Sequence, residues 1–155
     1  MLFASSETGA GCSELLGLRP QDIRLDHEIP HISIEPYEGR KLKTKFRKRQ
    51  IPLVGFALDA FKKFPNGFNT NGVNPDSMTN VIGKYLRDNS LLPSENHSAY
   101  SLRHSFQDRL TNADVPDRTQ VDLMGHQFDR QKYGAGPTLQ KKAEWLEKIQ
   151  LRAKP

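Results

Sequence analysis

Three short segments of this 155-residue sequence carry side chains suited to chemistry on a phosphate group. They read YSLRHSF over residues 100–106, LMGH over residues 123–126 and YG over residues 133–134. An arginine such as Arg103 is always charged and can donate two parallel hydrogen bonds to phosphate oxygens. A histidine such as His126 can donate to phosphate or take a proton. The phenol of Tyr133 would need help, because its ordinary pKa of ~10 leaves it poorly ionised at neutral pH.

A basic patch, defined as residues 40–49, is the second notable feature. Seven of its ten residues are basic: Arg40, Lys41, Lys43, Lys45, Arg47, Lys48 and Arg49. Subtracting these seven charges from the formal net charge of +5 leaves −2 for the other residues. Such a concentration of charge is typical of a surface that meets a phosphate backbone. A solvated hairpin tip without a partner is the alternative.

The elements that would position these residues are a small sheet followed by helices. Alternating apolar and polar residues predict strands over 22–26, 31–36 and 49–54, which makes the basic patch an exposed connection between the second and third strands. Helical spacing predicts helices over 13–18, 56–64, 75–89, 101–112, 116–124 and 138–149. Asn74 and Thr138 are predicted N-caps, and Gly125 is predicted to end a helix. The predicted fold class is α+β, mainly helical, with a three-stranded antiparallel sheet.

Composition limits the class of protein. Hydrophobic residues make up 35% and charged residues 26%, which is ordinary for a soluble globular domain, so we predict a single domain over residues 1–155. No apolar run approaches the ~18 residues that a membrane span needs. Cys12 is the only cysteine, which excludes an internal disulfide and a cysteine-based zinc site and favours a reducing cytoplasm.

Five ordered motifs resemble the C-terminal catalytic domain of tyrosine site-specific DNA recombinases, the phage-integrase family. Residues 8–15 read TGAGCSEL, similar to the family's TGxRxSEL, and residues 42–45 (LKTK) with 49–53 (RQIPL) are similar to its lysine-bearing hairpin. The segments YSLRHSF and LMGH resemble its HxLRH(S/T)F and LxGH motifs, and Tyr133-Gly134 falls where the nucleophile belongs. The resemblance covers nearly the whole chain. It begins inside the catalytic domain, so the family's N-terminal helical domain is expected to be absent.

The resemblance implies recombination or integration of double-stranded DNA through a 3′-phosphotyrosyl intermediate, with no metal or cofactor. It implies Tyr133 as nucleophile, Arg103 as phosphate clamp, Lys43 as general acid and His126 as the phosphate-side histidine, with Tyr100 also in the site. Lys45 stays an alternative to Lys43, because the loop length decides which lysine reaches the phosphate. The further DNA-binding residues would be Lys41, Lys45, Arg47, Lys48 and Arg49. Self-association on DNA, as a tetramer in the family, is also implied.

Two positions depart from the family pattern. Tyr100 stands where a histidine is usual, and a phenol can still donate to phosphate. Gly11 stands where the first-motif arginine belongs, and it has neither a charge nor a side-chain donor. Losing one positioned donor commonly costs ~10²–10³ in rate, so cleavage is expected to be weak.

Two other functions stay open at the level of sequence. One is a catalytically inactive DNA-binding remnant of an integrase, and the other is a basic adaptor for RNA or an acidic protein. The apolar stripe of the last helix has two interpretations as well, since it can pack on its own core or dock on a neighbouring protomer.

Overall fold

A three-stranded antiparallel sheet lies at the centre of the chain, in the order β1-β2-β3. The strands are β1 (Ile23–Arg24), β2 (His31–Ile34) and β3 (Arg49–Pro52). Ile32 pairs with Ile23 on one side and with Ile51 on the other, so three isoleucines form a row across the sheet. All three are buried, which fixes the register, because a slip of one residue would turn them to the opposite face.

Seven helices surround this sheet in the computed structural model, which describes residues 1–69, 72–131 and 134–153. They are α1 (Leu2–Thr8), α2 (Cys12–Leu16), α3 (Gly55–Lys63), α4 (Pro75–Asp88), α5 (Ser101–Asn112), α6 (Asp117–Met124) and α7 (Leu139–Ile149). Short 3-10 turns occupy Pro20–Asp22 and Lys45–Arg47. The predicted α+β, mainly helical fold class with a three-stranded antiparallel sheet is confirmed.

The predicted helix boundaries depend on local capping, and the structure has these caps. The Asn74 side chain accepts the Asp76 N–H at 2.8 Å at the start of α4. The Thr138 hydroxyl accepts the Lys141 N–H at 3.2 Å at the start of α7. Gly125 ends α6 with a φ of 65°, a left-handed conformation that glycine adopts without steric cost.

All three strands are shorter than predicted, since β2 ends at Ile34 and β3 at Pro52, and the first differs most. The sequence predicts a strand over 22–26, whereas β1 ends at Arg24. The reason lies in the turn that follows, where the His27 ring accepts the Ile29 N–H at 3.0 Å. This local hydrogen bond takes up the Ile29 N–H, which a longer hairpin in the same register would have placed opposite Asp26.

Helix α1 packs against α3 and α5, and Ala4, Phe61, Phe106 and Leu110 from these helices are buried in the core. Helix α7 packs against β3 and α5 of its own chain and buries Ala143 and Leu146. The Lys142 ammonium, also buried, donates to the Gln50 carbonyl at 3.0 Å and pairs with Asp122 at 2.5 Å. The C-terminal apolar stripe thus contributes to the chain's own core.

Candidate functional site

The site begins at the turn between α1 and α2, which two glycines shape differently. Gly9 has a φ of 63°, and a Cβ placed there would lie 2.5 Å from the Phe106 ring, so only glycine fits. Gly11 has a φ of −72° and a ψ of 160°, extended backbone that any residue can adopt. A Cβ on Gly11 would meet only Glu14, at 3.7 Å. The turn leaves the Gly9 carbonyl pointing toward α5.

The Glu14 carboxylate is the central anion of the site. It accepts hydrogen bonds from Arg49 at 2.8 and 3.0 Å and from the Gly11 N–H at 2.9 Å. Arg47 lies 3.4 Å from the same carboxylate, and Arg103 lies 3.9 Å from it. Burial alone would raise the pKa of Glu14, but the hydrogen bonds and charge of Arg49 outweigh burial and hold it at about 2. Glu14 is therefore ionised at neutral pH.

Arg103 projects from the first turn of α5 into the interior, where 3% of it stays exposed. Its guanidinium donates to the Gly9 and Met124 carbonyls and lies 3.2 Å from Nε2 of His126. Burial lowers the pKa of Arg103, and the charge on Arg47 lowers it further. Arginine nevertheless stays protonated in proteins. The Gly9 and Met124 carbonyls fix the Arg103 guanidinium between α1 and the end of α6.

His126 follows the left-handed turn at Gly125 and is exposed to solvent. Because arginine can only donate hydrogen bonds, the contact with Arg103 requires an unprotonated Nε2. The proton of the neutral ring is then on Nδ1. Burial lowers the pKa of His126 and the charges of Arg103 and Arg47 lower it further, so the neutral form is favoured at pH 7.

The basic patch is held at both ends by arginines that point inward. Arg40 donates to the Gly17 carbonyl at 2.5 Å and to the Glu14 carbonyl at 2.9 Å, which ties the connection to α2. Arg49 is buried, with its guanidinium on Glu14 and on the Leu123 carbonyl at 2.8 Å. These contacts occupy its donors within the protein, and the DNA contact predicted for Arg49 stays a prediction.

The rest of the basic patch faces outward. Lys41, Lys43, Lys45 and Lys48 are exposed, and Arg47 is half-buried. The exposed tip that the sequence predicts is therefore present. Lys48 makes an ion pair with Glu35 at 3.6 Å, in which both side chains remain open to solvent. Exposed pairs of this kind are worth little, so Glu35 does not hold the Lys48 ammonium firmly in place.

Arg103 and His126 lie at the junction of two neighbouring clefts. The larger cleft, about 650 Å³, is lined by Gly11, Lys43, Arg47, Tyr100 and Arg103 among others. The smaller one, about 290 Å³, is lined by Lys45, Lys48, His126 and Gly134 among others. The 3.2 Å contact between the guanidinium and the imidazole joins the two.

Comparison with known proteins gives matches to solved structures. No protein-family model matches the chain, and no curated protein matches it significantly. An arginine-to-lysine variant of the Tn1549 transposon integrase, in complex with a circular intermediate DNA, is 19% identical with a TM-score of 0.57 over 82% of this chain. A tyrosine-to-phenylalanine variant, in complex with transposon right end DNA, is 17% identical with a TM-score of 0.56 over 99%.

The unaltered integrase, also in complex with circular intermediate DNA, is 19% identical with a TM-score of 0.56 over 96% of this chain. The chain shares the fold of the matched part of the Tn1549 transposon integrase. It spans 50–58% of the length of these solved chains, about half.

In this fold, the two lysines that are candidates for the general acid line different clefts. Lys43 lines the larger cleft with Arg103, and Lys45 lines the smaller cleft with His126. The choice of Lys43 as general acid stays a prediction. Tyr100 is 58% exposed at the start of α5, packs edge-on against the exposed His104 at a ring distance of 5.0 Å, and opens onto the larger cleft.

The expected nucleophile, Tyr133, lies outside the described residues, so its role stays a prediction. The next residue, Gly134, has a φ of 67° and accepts a hydrogen bond from Arg118 at 2.8 Å. Gly134 borders the smaller cleft beside His126.

Two residues that hold the site in place, Glu14 and Arg40, are missed when the sequence is searched only for residue types that act in catalysis. Glu14 appears only as a letter of the first motif, and Arg40 only as one charge of the basic patch. Glu14 stands directly before Leu15 and Leu16, and a glutamate in such an apolar stretch is a signal for an internal ion pair. Its partner Arg49 lies 35 positions away and cannot be chosen without the fold. Among residues 1–69, 72–131 and 134–153, no three histidine, cysteine, aspartate or glutamate side chains are grouped as metal ligands. None of the helices in these ranges is long and apolar enough to cross a membrane.

Proposed function

We propose that this chain binds double-stranded DNA and cleaves and rejoins its strands through a 3′-phosphotyrosyl intermediate, with cleavage weakened by Gly11. The observation that carries the proposal is the contact between Arg103 and His126 at the junction of two lysine-lined clefts. A buried charge, a neutral histidine and exposed lysines around one point are the groups that a phosphodiester requires. The fold shared with DNA-bound integrases supports the same assignment.

In the proposed reaction, the hydroxyl oxygen of Tyr133 forms a bond to phosphorus and the bond from phosphorus to the 5′ oxygen breaks. The phenolic proton passes to a base or to solvent, and the 5′ oxygen gains a proton from Lys43 or Lys45. Because Nε2 of His126 accepts from Arg103, His126 offers its Nδ1 proton to a non-bridging oxygen. The phosphotyrosyl bond conserves the energy needed for rejoining, so no nucleotide or metal enters the scheme.

A catalytically inactive DNA-binding remnant is the second candidate, and Gly11 is the observation that favours it. The glycine leaves the first-motif position without a charge, while the lysine-rich surface is retained. The two candidates share their DNA partner and differ only in whether a covalent intermediate forms. Assembly of several copies on DNA and a cytoplasmic location belong to the same proposal.

Covalent capture separates the two candidates. The probe is a pool of DNA duplexes with randomised bases around a central nick, so that no particular target sequence is assumed. Cleavage beside the nick releases a short strand that diffuses away, and the protein stays covalently attached to the DNA. Wild-type protein, Gly11→Arg and Tyr133→Phe are incubated with the pool, and adducts that survive SDS are counted. We expect a low wild-type yield, a gain of up to ~10²–10³ for Gly11→Arg, and none for Tyr133→Phe.

Each outcome decides between the candidates. A wild-type yield as high as that of Gly11→Arg would show that cleavage is not weakened. No adduct from wild-type or Gly11→Arg protein, together with intact DNA binding, would establish the inactive remnant. DNA binding that is insensitive to Lys43→Ala would favour the adaptor for RNA or an acidic protein.

A further inference from the structure

The missing first-motif arginine leaves an opening in the larger cleft. Gly11 lines this cleft, and a Cβ built there meets one atom, the Glu14 carboxylate oxygen at 3.7 Å. The backbone at Gly11 is extended and its N–H is already bound by Glu14. Space for a long side chain therefore exists, and no side chain from position 11 fills it.

Arg47 contacts the other oxygen of the same carboxylate. It ends the 3-10 turn Lys45–Arg47 and lies 3.4 Å from the Glu14 carboxylate, and it lines the larger cleft with Gly11 and Arg103. Its side chain is 21% exposed. Across the described parts of the chain, this long contact is the hydrogen bond that its guanidinium makes, although a guanidinium carries five N–H donors.

The other two arginines of the cluster are buried and make more hydrogen bonds than Arg47. Arg49 uses its donors on Glu14, on the Leu123 carbonyl and on the Arg47 carbonyl. Arg103 uses its donors on two backbone carbonyls and on His126. Arg47 is thus the arginine beside Gly11 that combines solvent access with unused donors.

The charge balance of the cluster favours an incoming anion. Arg47, Arg49 and Arg103 surround one carboxylate, that of Glu14. The charge on Arg47 opposes the charged forms of Arg103 and His126, after the larger effect of burial on both. A bound phosphate would offset this repulsion, since opposite charges nearby stabilise the ionised forms.

We propose that Arg47 takes over the phosphate-clamping role of the arginine that is missing at position 11, by donating to a non-bridging oxygen of the DNA phosphodiester in the larger cleft. The inference rests on the proposed function, and it makes Arg47 a catalytic residue rather than a general DNA contact. In this proposal the half-buried Arg47 side chain turns from Glu14 to the phosphate by rotation about its own torsions. Arginine is suited to the task because its planar group can bind two oxygens at once.

The decisive test uses inorganic phosphate as the probe and does not require cleavage. Phosphate is titrated into the whole protein while the arginine Nε–H signals are followed by NMR. We expect the Arg47 signal to shift, and Arg47→Ala to weaken phosphate binding roughly tenfold or more, because a charge-assisted pair is lost. Arg47→Lys should keep part of the affinity, and Lys141→Ala, an exposed charge on α7, should keep all of it.

A second arm asks whether position 11 and position 47 do the same work. Adduct yields from the nicked pool are compared for wild type, Gly11→Arg, Arg47→Ala and the double variant. If Arg47 stands in for the missing arginine, the gain from Gly11→Arg is larger in the Arg47→Ala background than in wild type, since the two groups overlap in role. Equal gains in both backgrounds would mean that they act independently and would count against the inference.

The two arms distinguish failure of the clamp from failure of the proposed function. A wild-type Arg47 signal that ignores phosphate, or unchanged phosphate affinity in Arg47→Ala, overturns the role of Arg47 whatever the adduct yields are. Phosphate binding that depends on Arg47, without adducts from any variant, supports the clamp and rejects strand cleavage. Circular dichroism of each variant checks the fold, and the wild-type NMR signal needs no variant at all.

Discussion

At the scale of single residues, the site is organised by one carboxylate. Glu14 orients Arg49 and faces Arg47 and Arg103, so an acidic residue sets the geometry of the surface that we propose to bind DNA phosphates. The arrangement is costly to disrupt. Removing one partner of a buried pair leaves the other charge without compensation.

We expect Glu14→Gln to lower the free energy of unfolding by about 3–5 kcal/mol at pH 7, because the buried Arg49 guanidinium loses its counter-charge. Urea denaturation measures the change. The matched control is Glu35→Gln, which breaks the exposed pair with Lys48 and should cost less than about 1 kcal/mol. Equal losses in the two variants would contradict the role of Glu14.

The same residue gives the fold a dependence on pH. The pKa of Glu14 is about 2 in the folded chain against an ordinary 4.5, so its stabilising contribution is complete above pH 4.5 and is lost as the pH falls toward 2. We expect the acid-side loss of stability to be smaller in Glu14→Gln than in wild type. Denaturation midpoints taken between pH 5 and pH 2.5 test this, and parallel curves would exclude Glu14 as their source.

At the scale of elements, the turn between α1 and α2 delivers the Gly9 carbonyl to Arg103 and leaves position 11 open. The two glycines of this turn have opposite constraints. One has a left-handed backbone packed against the Phe106 ring, and the other has an extended backbone beside open space. They therefore make a matched pair of substitution sites two residues apart.

We expect Gly9→Ala to destabilise the fold by about 2–4 kcal/mol, since it combines a left-handed backbone with overpacking against Phe106. Gly11→Ala should be neutral or stabilising by up to about 1 kcal/mol, because the alanine fits the native backbone and restricts the unfolded chain. Thermal and urea unfolding of both variants provide the comparison. Loss of stability in Gly11→Ala would show that position 11 is closed to a larger side chain.

At the scale of the whole molecule, the positive charges of the basic patch are divided between the protein interior and the solvent-facing side of the patch. Arg40 and Arg49 fasten the basic patch to the body of the chain, and the remaining members face solvent. The exposed members are separated over two clefts that meet at Arg103 and His126. The proposed DNA-binding surface is thus limited to the exposed residues of the basic patch and the two clefts that they line.

We expect DNA affinity to fall steeply as the salt concentration rises. If all five outward-facing residues of the basic patch contact phosphates, the slope of log K against log salt is about −4.5, and fewer contacts give a shallower slope. The five residues are Lys41, Lys43, Lys45, Arg47 and Lys48. Each single change to alanine should reduce the slope by about 0.9, alike for unrelated duplex sequences. Fluorescence anisotropy at several salt concentrations measures the slope. Lys141→Ala is the control, and the idea fails if that control lowers the slope as much as Lys45→Ala.

The sequence by itself determined where several helices of this protein begin or end. Capping by Asn74 and Thr138 and the stop at Gly125 are local events, set by side chains and backbone torsions within a few residues. The fold class followed from the spacing of apolar residues. A helix or a strand with one buried face repeats apolar residues at a characteristic interval, whichever element it packs against. The candidate residues followed from ordered motifs, each readable without knowing its neighbours in space.

Only the tertiary structure decided which charges are available. Arg47 and Arg49 are two residues apart and have the same chemistry, yet one is half-exposed with donors to spare and the other is buried on Glu14. The contact of Arg49 spans 35 positions in the chain, and that of Arg103 with Gly9 spans 94. Such pairings depend on how helices and strands meet, and no local pattern encodes that distance. Charge can therefore be counted from the sequence, whereas its exposure is a property of the folded chain.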